Sequence, residues 1–375
     1  MKPRTNFIKE QLKQIKKANL FRTLVSSKIS GPYITIQGKK LVNLSSNDYL
    51  GLTSKFNPSQ TQSSSRLISG NDLSFKKLES NLARHKSKDS ALVFPTGYMA
   101  NLGAVSILAQ KNDLILSDEL NHASIIDACR LSYAKKQVYR HNDVSDLEKK
   151  LRTRARRKFV VTEGIFSMNG DFARLREITK LCQENNAFLL LDDAHGDFVA
   201  GRDGKGSADH FMVADKIDVY ISSLSKALGA FGGYITANKD IVDLAVNTSR
   251  PFIYTSALPS FVVDLALKKF LTNRERKRLQ LWKKVGQFNK GLRSVGYSIN
   301  SQSQIIPIII GNEKKTLEFA KYLRENGIFA QPIRYPTVNL GSARIRISVT
   351  DWLSEQIISE SLAIFEKAGK KFDIL

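Results

Sequence analysis

Four side chains able to take part in covalent or acid–base chemistry follow two apolar segments near the middle of the chain. Asp192, Asp193 and His195 end the segment AFLLLDDAHG, and Lys226 ends the next apolar segment, DVYISSLSK. An amine that is partly desolvated, or that lies near other positive charge, can act as a nucleophile. Lys226 alone could equally be a phosphate ligand or an ion-pair partner. A decision between these roles depends on where the two segments lie in the fold.

Five short apolar runs between residues 90 and 240 predict strands, and they cover residues 91–94, 158–163, 187–193, 218–223 and 232–237. Near-continuous apolar runs are typical of strands that helices cover on both faces, so we expect a mostly parallel sheet. In such a sheet, ligands bind beyond the carboxyl ends of the strands. The amine, the carboxylates and the imidazole are therefore predicted to meet at one edge.

The remaining pattern predicts three parts of the chain. Residues 1–45 form an arm, and its first thirty residues predict a basic amphipathic helix with apolar positions at Phe7, Ile8, Leu12, Ile15 and Leu20. Residues 46–255 form a large domain, and residues 256–375 form a smaller α+β domain that begins with a long linking helix over about 258–295.

A candidate anion site precedes these segments. The stretch FPTGYMAN, residues 94–101, reads as a strand end, a turn at Thr96 and Gly97, and a helix whose first amides can bind an anion. An amine, a carboxylate, an imidazole and a phosphate cradle are together what pyridoxal 5'-phosphate requires. We therefore expect this cofactor.

Nine segments, in order and at similar spacing, resemble the α-oxoamine synthase family of fold type I pyridoxal-phosphate enzymes. They are SSNDYLGL, FPTGYMAN, LNHASIIDA, VTEGIFSMNGD, LDDAHG, SSLSKALGAFGGY, RPFIYTSALP, YPTV and ARIRIS. The resemblance implies an α/β large domain with a mostly parallel seven-stranded sheet, a smaller α+β domain, and a homodimer whose active sites are shared between subunits.

The resemblance also implies roles around the ring of the cofactor. Lys226 binds the aldehyde of the cofactor covalently and later removes the α-proton of the amino acid. Asp192 pairs with the pyridine nitrogen, and His122 stacks over the ring. His195 contacts the phenolic oxygen, and the hydroxyl of Ser167 lies beside it.

Other residues are matched to the phosphate and to the substrates. Gly97, Tyr98 and Ser223 are expected to hold the phosphate, together with Thr255 from the neighbouring subunit. In the substrate site, His122 is joined by Arg346, whose guanidinium matches the group that binds the α-carboxylate. Arg344 lies two residues away on the same strand face and could exchange roles with it. Arg22 and Thr337 match positions that contact the acyl substrate.

Members of this family join an amino acid to an acyl-coenzyme A and release carbon dioxide. The segments VTEGIFSMNGD, DDAHG and YPTV favour alanine with pimeloyl-coenzyme A or a pimeloyl carrier thioester. The alternative is glycine with acetyl-coenzyme A, although enzymes of that type usually carry DDSHA in place of DDAHG. SSSRLISGND, residues 63–72, replaces a glycine-rich segment often seen before the cofactor turn in this family.

The composition raises a second class of function. The chain has 58 Lys and Arg residues against 35 Asp and Glu, a formal charge of +23. Such a charge can indicate a protein that binds nucleic acid or acidic membranes on an inactive synthase scaffold. The two densest basic runs, residues 149–158 and 273–284, instead read as solvated helix faces, and no nucleic-acid motif accompanies them. We therefore expect neither a nucleic-acid nor a membrane partner.

Cysteine content and hydropathy indicate the cellular compartment of the protein. Cys129 and Cys182 are too few and too far apart for a disulfide framework or a cysteine-based metal site. No apolar run approaches the roughly 20 residues that span a bilayer, and no secretory signal precedes the first strand. These features predict a cytoplasmic enzyme without a metal.

Overall fold

The computed structural model describes residues 13–21, 27–46, 48–52 and 64–375, and of residues 27–29 it describes the backbone. Contacts divide the chain into a large unit, Asn47–Ser167 with Asp171–Leu279, and a small unit, Met1–Ser46 with Met168–Gly170 and Gln280–Leu375. This division differs from the predicted domains in two respects. The N-terminal residues share a unit with the C-terminal ones, and the later boundary lies inside a helix rather than at residue 255.

The strands follow the chain in numerical order. They are β1 Ser27–Ser30, β2 Tyr33–Ile36, β3 Lys39–Asn43, β4 Ser90–Phe94, β5 Leu114–Asp118, β6 Lys135–Tyr139, β7 Lys158–Glu163, β8 Ala187–Asp192, β9 Val219–Ser223, β10 Gly233–Ala237, β11 Ile305–Gly311, β12 Ile328–Phe329, β13 Gln331–Ile333 and β14 Ala343–Ser348.

The helices are numbered from the first one whose two ends are both described. They are α1 Leu73–His85, α2 Gly97–Leu108, α3 Ala123–Leu131, α4 Val144–Leu151, α5 Leu175–Glu184, α6 Ser207–His210, α7 Lys239–Thr248, α8 Arg250–Ile253, α9 Ser260–Leu271, α10 Glu275–Ser294, α11 Glu313–Glu325 and α12 Glu355–Lys371. Two short 3₁₀ turns, Arg202–Gly204 and Ala214–Lys216, lie in the large unit.

The large unit is built on a seven-stranded sheet in the order β4-β10-β9-β8-β7-β5-β6. β10 runs antiparallel to both of its neighbours, and the other pairs are parallel. The predicted fold class is confirmed. All five predicted strands are present, and the sequence reading missed β5 and β6.

Each central strand supplies side chains to two separate cores. In β7, Val161 packs into one core and Val160 into the other, and in β8 Leu190 packs opposite Leu189 and Leu191. Because successive side chains of a strand point to opposite faces, a strand buried on both faces is apolar at nearly every position. This explains why these strands are continuous apolar runs rather than alternating ones.

The register of the sheet brings polar strand ends to one edge. Glu163, the last residue of β7, is paired with Asp192, the last residue of β8, and Asp192 is paired with Ile221 of β9. β9 ends at Ser223, and its next turn contains Lys226. The carboxyl ends of β8 and β9 therefore carry the predicted chemical groups at one edge, and β7 adds Glu163 beside them.

The small unit contains two sheets, β1-β2-β3-β12 and β11-β14-β13. The predicted single helix over about 258–295 is two helices, α9 and α10. Thr272 has an extended conformation, and the side chain of Asn273 accepts a hydrogen bond from the amide of Glu275, which begins α10. The chain stops and restarts there because Asn273 caps the second helix.

The predicted N-terminal helix is described over residues 13–17 only. Phe7, Ile8 and Leu12 lie outside the described residues. Residues 27–30 form strand β1, so the helix does not extend over the first thirty residues as we predicted.

The two basic runs make ion pairs with neighbouring carboxylates. In the first run, Lys150 pairs with Asp146 and Arg152 with Glu148, one helical turn away along α4. In the second, Lys284 pairs with Asp351 of the same unit. These contacts support the interpretation of the runs as solvated helix faces.

Candidate active site

A cavity of about 220 Å³ opens at the carboxyl edge of the large sheet. Its wall is polar and comes from six places along the chain: Thr96, Gly97, Tyr98, Asn101, His122, Ser124, Glu163, Asp192, Ala194, His195, Ser222, Ser223, Ser225 and Lys226. The cavity therefore brings together seven of the predicted site residues. They are Gly97, Tyr98, His122, Asp192, His195, Ser223 and Lys226.

One side of the cavity is the N-terminus of α2. Thr96 caps the helix by accepting a hydrogen bond from the amide of Met99. Gly97 lies against Ser223, because a Cβ on Gly97 would come 3.2 Å from the Cβ of Ser223. Gly233 is placed more tightly, since its Cβ would lie 2.4 Å from the amide nitrogen of Gly97. The backbone thus approaches closely where free helix amides can bind an anion.

Tyr98 is the second residue of α2, and its ring is 41% exposed. Its hydroxyl donates a hydrogen bond to Asp127, and its ring meets the ring of His122 edge to face at 6.4 Å. The hydrogen bond to Asp127 is the main reason that the pKa of Tyr98 is raised. Tyr98 therefore lies at the cavity with its hydroxyl already engaged.

Asp192 ends β8, and both of its carboxylate oxygens accept hydrogen bonds. Oδ1 accepts from the amide of Ala194 at 3.0 Å, and Oδ2 accepts from the side-chain nitrogen of Asn101 at 2.6 Å. Asp192 is 8% exposed. These two donors fix the plane of a carboxylate that faces the cavity, and charged acceptors make such bonds strong.

His195 follows three residues later and is held from a distant part of the chain. Its Nδ1 lies 2.8 Å from the hydroxyl oxygen of Tyr49, which is fully buried. Tyr49 belongs to the segment SSNDYLGL, to which the sequence reading gave no role. Its hydroxyl orients the ring of His195 in the cavity wall.

His122 caps helix α3 and lies between Ser124 and Lys226. Its Nδ1 is 2.7 Å from the hydroxyl oxygen of Ser124 and accepts a hydrogen bond from the amide of Ser124 at 3.2 Å. Burial and the nearby charge of Lys226 lower the pKa of His122, although Asp192 opposes them. The imidazole is thus favoured in its neutral form.

Glu163 is a cavity residue that the sequence reading missed. It is fully buried, and its carboxylate accepts hydrogen bonds from the amides of His122, at 2.6 Å, and Ser167. Burial raises the pKa of Glu163, and the charge of Asp192 raises it further, against the effect of Lys226. The segment KFVVTE ends in Glu163 as AFLLLD ends in Asp192, so attention to the polar residue at the end of each predicted strand would have found it.

Lys226 lies in the turn after β9, half-buried in the cavity wall. Its carbonyl accepts the amide of Gly229, whose φ of +61° favours glycine. Its amine is the cationic neighbour of both Glu163 and His122. The tight turn therefore places one ammonium group among the ionisable side chains of the cavity.

A buried ionic cluster supports the segment that carries His195. The amine of Lys86 lies 2.7 Å from Asp197 and 3.5 Å from Asp193, and all three side chains are at most 1% exposed. Asp197 also accepts a hydrogen bond from Ser222 at 2.8 Å. The second aspartate of the DDAHG motif therefore belongs to this cluster and not to the cavity.

Two predicted cofactor residues of the large unit are not part of the cavity wall. Ser167 is buried and donates its amide to Glu163. Thr255 is half-buried and lines a separate, smaller depression beside Arg66. The cross-subunit role given to Thr255 stays a prediction.

Of the predicted substrate residues, Arg346 and Thr337 belong to the small unit, as does the neighbouring Arg344. Arg344 and Arg346 are both buried in β14. Arg344 donates to the carbonyl of Met168 at 3.2 Å and to the side chain of Asn169 at 2.6 Å, whereas Arg346 donates to the hydroxyl of Ser348 at 2.8 Å.

Thr337 is exposed, and its amide donates a hydrogen bond to the carbonyl of Arg334. Arg22 lies outside the described residues. The acyl-contact roles given to these two residues stay predictions.

Two kinds of feature are absent from the described part of the chain. Among residues 13–21, 27–46, 48–52 and 64–375, no group of three or more His, Cys, Asp or Glu side chains is placed to hold a metal ion. Within the same ranges, no helix has the length and apolar character required to span a membrane.

Comparisons with known proteins agree with this geometry. The family model "Aminotransferase class I and II" matches residues 39–359. An 8-amino-7-oxononanoate synthase from Thermoanaerobacter pseudethanolicus is 40% identical, over 99% of this chain and 98% of the relative. The enzyme of the same name from Treponema denticola is 39% identical, over 98% of both chains.

Solved structures give the same family. Serine palmitoyltransferase from Sphingomonas wittichii superimposes with a TM-score of 0.91 at 30% identity, covering 100% of this chain and 99% of its own. A serine palmitoyltransferase solved with its pyridoxal-phosphate internal aldimine has the same TM-score at 26% identity, covering 99% and 98%. An 8-amino-7-oxononanoate synthase from Francisella tularensis has a TM-score of 0.75 at 28% identity, covering 88% and 98%. The predicted resemblance is confirmed, and the chain belongs to the aminotransferase class I and II family, within which it is a relative of the 8-amino-7-oxononanoate synthases.

Proposed function

We propose that this protein is an acyltransferase that condenses L-alanine with pimeloyl-coenzyme A, or with a pimeloyl carrier thioester, to give 8-amino-7-oxononanoate in biotin synthesis. The cofactor is pyridoxal 5'-phosphate. One observation carries the proposal: a single cavity combines Lys226, Asp192, His122 and His195 with a free helix N-terminus. The full-length identity to 8-amino-7-oxononanoate synthases, which reaches 40%, supports the choice of substrates.

The donor set of the cavity fits pyridoxal phosphate. The N-terminus of α2, with Gly97 and the hydroxyl of Ser223, provides donors for a dianionic phosphate. Asp192 provides a fixed carboxylate for the pyridine nitrogen, and Lys226 provides an amine for the aldehyde. A side chain at residue 97 would crowd Ser223, because its Cβ would lie 3.2 Å from the Cβ of Ser223, so glycine allows the backbone to approach this close.

The reaction forms a carbon–carbon bond between the α-carbon of alanine and the carbonyl carbon of the thioester. The thiol of coenzyme A leaves first, and the alanine carboxylate then leaves as carbon dioxide. When bound, pyridoxal phosphate supplies the electron sink that acidifies the α-carbon. Lys226 would hold the cofactor through Nζ and, with alanine bound in the site, would accept the α-proton at the same atom.

The other residues hold these groups in place. Asp192, kept in one plane by its two donors, keeps the pyridine nitrogen protonated, and the neutral ring of His122 packs on the cofactor and faces the substrate. Arg346 binds the α-carboxylate, and Arg344 holds the Met168–Gly170 segment, as its hydrogen bonds to Met168 and Asn169 support. Arg22 and Thr337 contact the acyl chain.

We further propose a cytoplasmic homodimer with shared active sites. Among the large apolar side chains of the large unit that are more than half exposed, we expect a second copy of the chain to cover Leu67, Ile68, Leu73, Phe231 and Tyr254. A particle of twice the 42.0 kDa chain mass in sedimentation velocity would support the dimer. A monomer at active concentrations would refute it.

The substrates are tested by coenzyme A release with alanine or glycine against pimeloyl- or acetyl-coenzyme A. We expect the alanine and pimeloyl pair to be much the fastest. If glycine with acetyl-coenzyme A is fastest, the assignment is wrong and the protein is a glycine C-acetyltransferase, the alternative that the sequence left open.

The role of Lys226 is tested by Lys226→Ala. The variant should fold normally, bind no cofactor covalently and lose turnover, while the native protein shows the visible absorption band of its bound cofactor. Arg293→Ala, which alters a helix of the small unit, is the matched control and should keep both properties. Turnover by the Lys226 variant would refute the role of this lysine.

A further inference from the structure

Asn101 is a buried amide at the base of the cavity with no role assigned so far. It is the fifth residue of α2, one turn beyond Gly97, and it is 2% exposed. Its side-chain nitrogen lies 2.6 Å from Oδ2 of Asp192 and 3.0 Å from the hydroxyl oxygen of Ser124. These partners lie on β8 and α3, so one side chain joins two elements that carry active-site groups.

The amide is suited to this position because its nitrogen has two hydrogens. One hydrogen bonds the carboxylate of Asp192 and the other bonds Ser124, whereas a hydroxyl could donate only once. The carbonyl oxygen of Asn101 has no hydrogen-bond partner among the described residues. A buried acceptor without a hydrogen-bond partner costs free energy of folding. The two hydrogen bonds that the side chain donates are therefore what favours asparagine at this position.

The bond to Ser124 continues to His122. Ser124 accepts from Asn101, which leaves its own hydroxyl hydrogen free to donate to Nδ1 of His122 at 2.7 Å. The amide of Ser124 donates to the same nitrogen at 3.2 Å. Two donors on Nδ1 place the ring proton on Nε2, so the chain of bonds from Asn101 selects one tautomer of His122.

We propose that Asn101 is a positioning residue that couples Asp192 to His122 through Ser124. This inference rests on the proposed function, in which Asp192 pairs with the pyridine nitrogen and His122 packs on the ring of the cofactor. Asn101 orients the carboxylate with one hydrogen and, with the other, fixes the tautomer and rotation of the imidazole. Both groups therefore depend on one amide in α2.

The experiment separates the link from Asn101 to Asp192 from the link that runs through Ser124 to His122. Asn101→Leu keeps the branched shape of the side chain and removes both donors, and Ser124→Ala removes only the link to His122. Ser106→Ala is the control, because the Ser106 hydroxyl bonds only the carbonyl of Leu102 in the same helix. For each protein, pyridoxal-phosphate affinity is measured by fluorescence titration of the cofactor-free form, and the His122 tautomer by nitrogen-15 spectra of histidine-labelled protein.

The two substitutions should give different results. Asn101→Leu should weaken cofactor affinity by about tenfold, as expected for a lost hydrogen bond to a charged group, and should shift His122 towards a mixture of tautomers. Ser124→Ala should shift the His122 signal while changing affinity by less than about threefold. Ser106→Ala should change neither quantity.

Three results would overturn the proposal. If the affinity of Asn101→Leu for the cofactor stays within about twofold of the native value, Asn101 does not orient Asp192. If both Asn101→Leu and Ser124→Ala give a native His122 signal, the bonds through Ser124 do not set the tautomer of His122. If Asn101→Leu fails to fold, Asn101→Ser tests the same coupling, and a native affinity together with a native His122 signal would be decisive against it.

The outcome also separates this inference from the proposed function. If the native protein binds no pyridoxal phosphate, the cofactor assignment fails. The nitrogen-15 spectra of the variants still test the coupling of Asn101 to His122 in that case. If the cofactor binds and the substrates prove to be glycine and acetyl-coenzyme A, both readouts of the coupling remain valid.

Discussion

His141 should make the stability of the protein depend on pH in a way that a single substitution removes. Its Nδ1 lies 2.9 Å from Oδ1 of Asp118, and its Nε2 lies 2.8 Å from Oδ2 of Asp171. Its ring also meets the ring of Phe166 edge to face at 4.4 Å. Asp171 and Ser167 belong to the same loop after β7, so this histidine braces the loop that carries a predicted site residue.

The magnitude follows from the environment of the ring. Burial alone would lower the pKa of His141, but the hydrogen bonds to Asp118 and Asp171, and their charges, outweigh burial and raise the pKa from 6.5 to about 9. At 1.36 kcal/mol per pKa unit this interval corresponds to about 3 kcal/mol. The side chain is 19% exposed, and screening by solvent reduces the expected contribution to about 2 kcal/mol.

The sign follows from the raised pKa in the folded protein. The folded protein binds the proton more tightly than the unfolded chain, so the stabilisation is complete below pH 6.5 and is lost as pH rises through 9. We expect the advantage in unfolding free energy of the native protein over His141→Gln to fall by about 2 kcal/mol between pH 6 and pH 10.

The assay is urea unfolding followed by circular dichroism at one fixed protein concentration, because subunit association would make stability depend on concentration. Groups common to both proteins titrate equally, so their effects cancel in the difference. His210→Gln is the control, since His210 is an exposed histidine that makes no ion pair within the described ranges. A difference between the native protein and His141→Gln that is the same at pH 6 and pH 10 would refute the reasoning.

Two further substitutions test packing and orientation. Gly206→Ala should cost more stability than Gly327→Ala in thermal unfolding. Both glycines have φ near +100°, but a Cβ at Gly206 would lie 1.9 Å from Oδ2 of Asp193, whereas nothing lies within 4 Å at Gly327; equal losses would contradict the clash. Tyr49→Phe should cost about 1 kcal/mol of stability and change the pH profile of kcat/KM, because it removes the hydroxyl that bonds Nδ1 of His195; an unchanged profile would count against the orienting role.

The sheet and the groups at its edge were predictable from the sequence because they depend on local patterns. A strand buried on both faces must be apolar over its central positions, as FVV in KFVVTE and FLLL in AFLLLD are. A strand in a parallel sheet must also end where ligands bind, so the polar residue that follows it is informative. The same rule applied to Glu163 would have added a residue that the reading omitted.

The contacts that orient these groups were not predictable in this way. Asn101 and Asp192 are 91 positions apart, and Tyr49 and His195 are 146 positions apart. A buried polar residue inside a helix has no periodic signature that names its partner. Only the tertiary structure shows that Asn101 faces a carboxylate rather than solvent.

The division into units differs from the predicted domain boundaries for a related reason. Met168–Gly170 belongs to the small unit although Ser167 and Asp171 belong to the large one. Its anchors are long-range: Gly170 accepts the amide of Gln302, and Arg344 binds Met168 and Asn169. The composition of the sequence does not change abruptly around these residues. No local pattern therefore indicates that three residues belong to the other unit.

The active-site groups of the large unit are held in the same way. Each ionisable residue that the motifs identify is oriented by a second residue that the motifs do not identify. Asn101 orients Asp192, Tyr49 orients His195, and Glu163 holds the amides of His122 and Ser167. Each orienting residue lies on a different element from the group it holds. Placement within a fraction of an ångström is what this chemistry requires. A relative that kept the lysine, aspartate and histidine but lost these partners would therefore bind the cofactor more weakly and turn over more slowly, although its motifs would look intact.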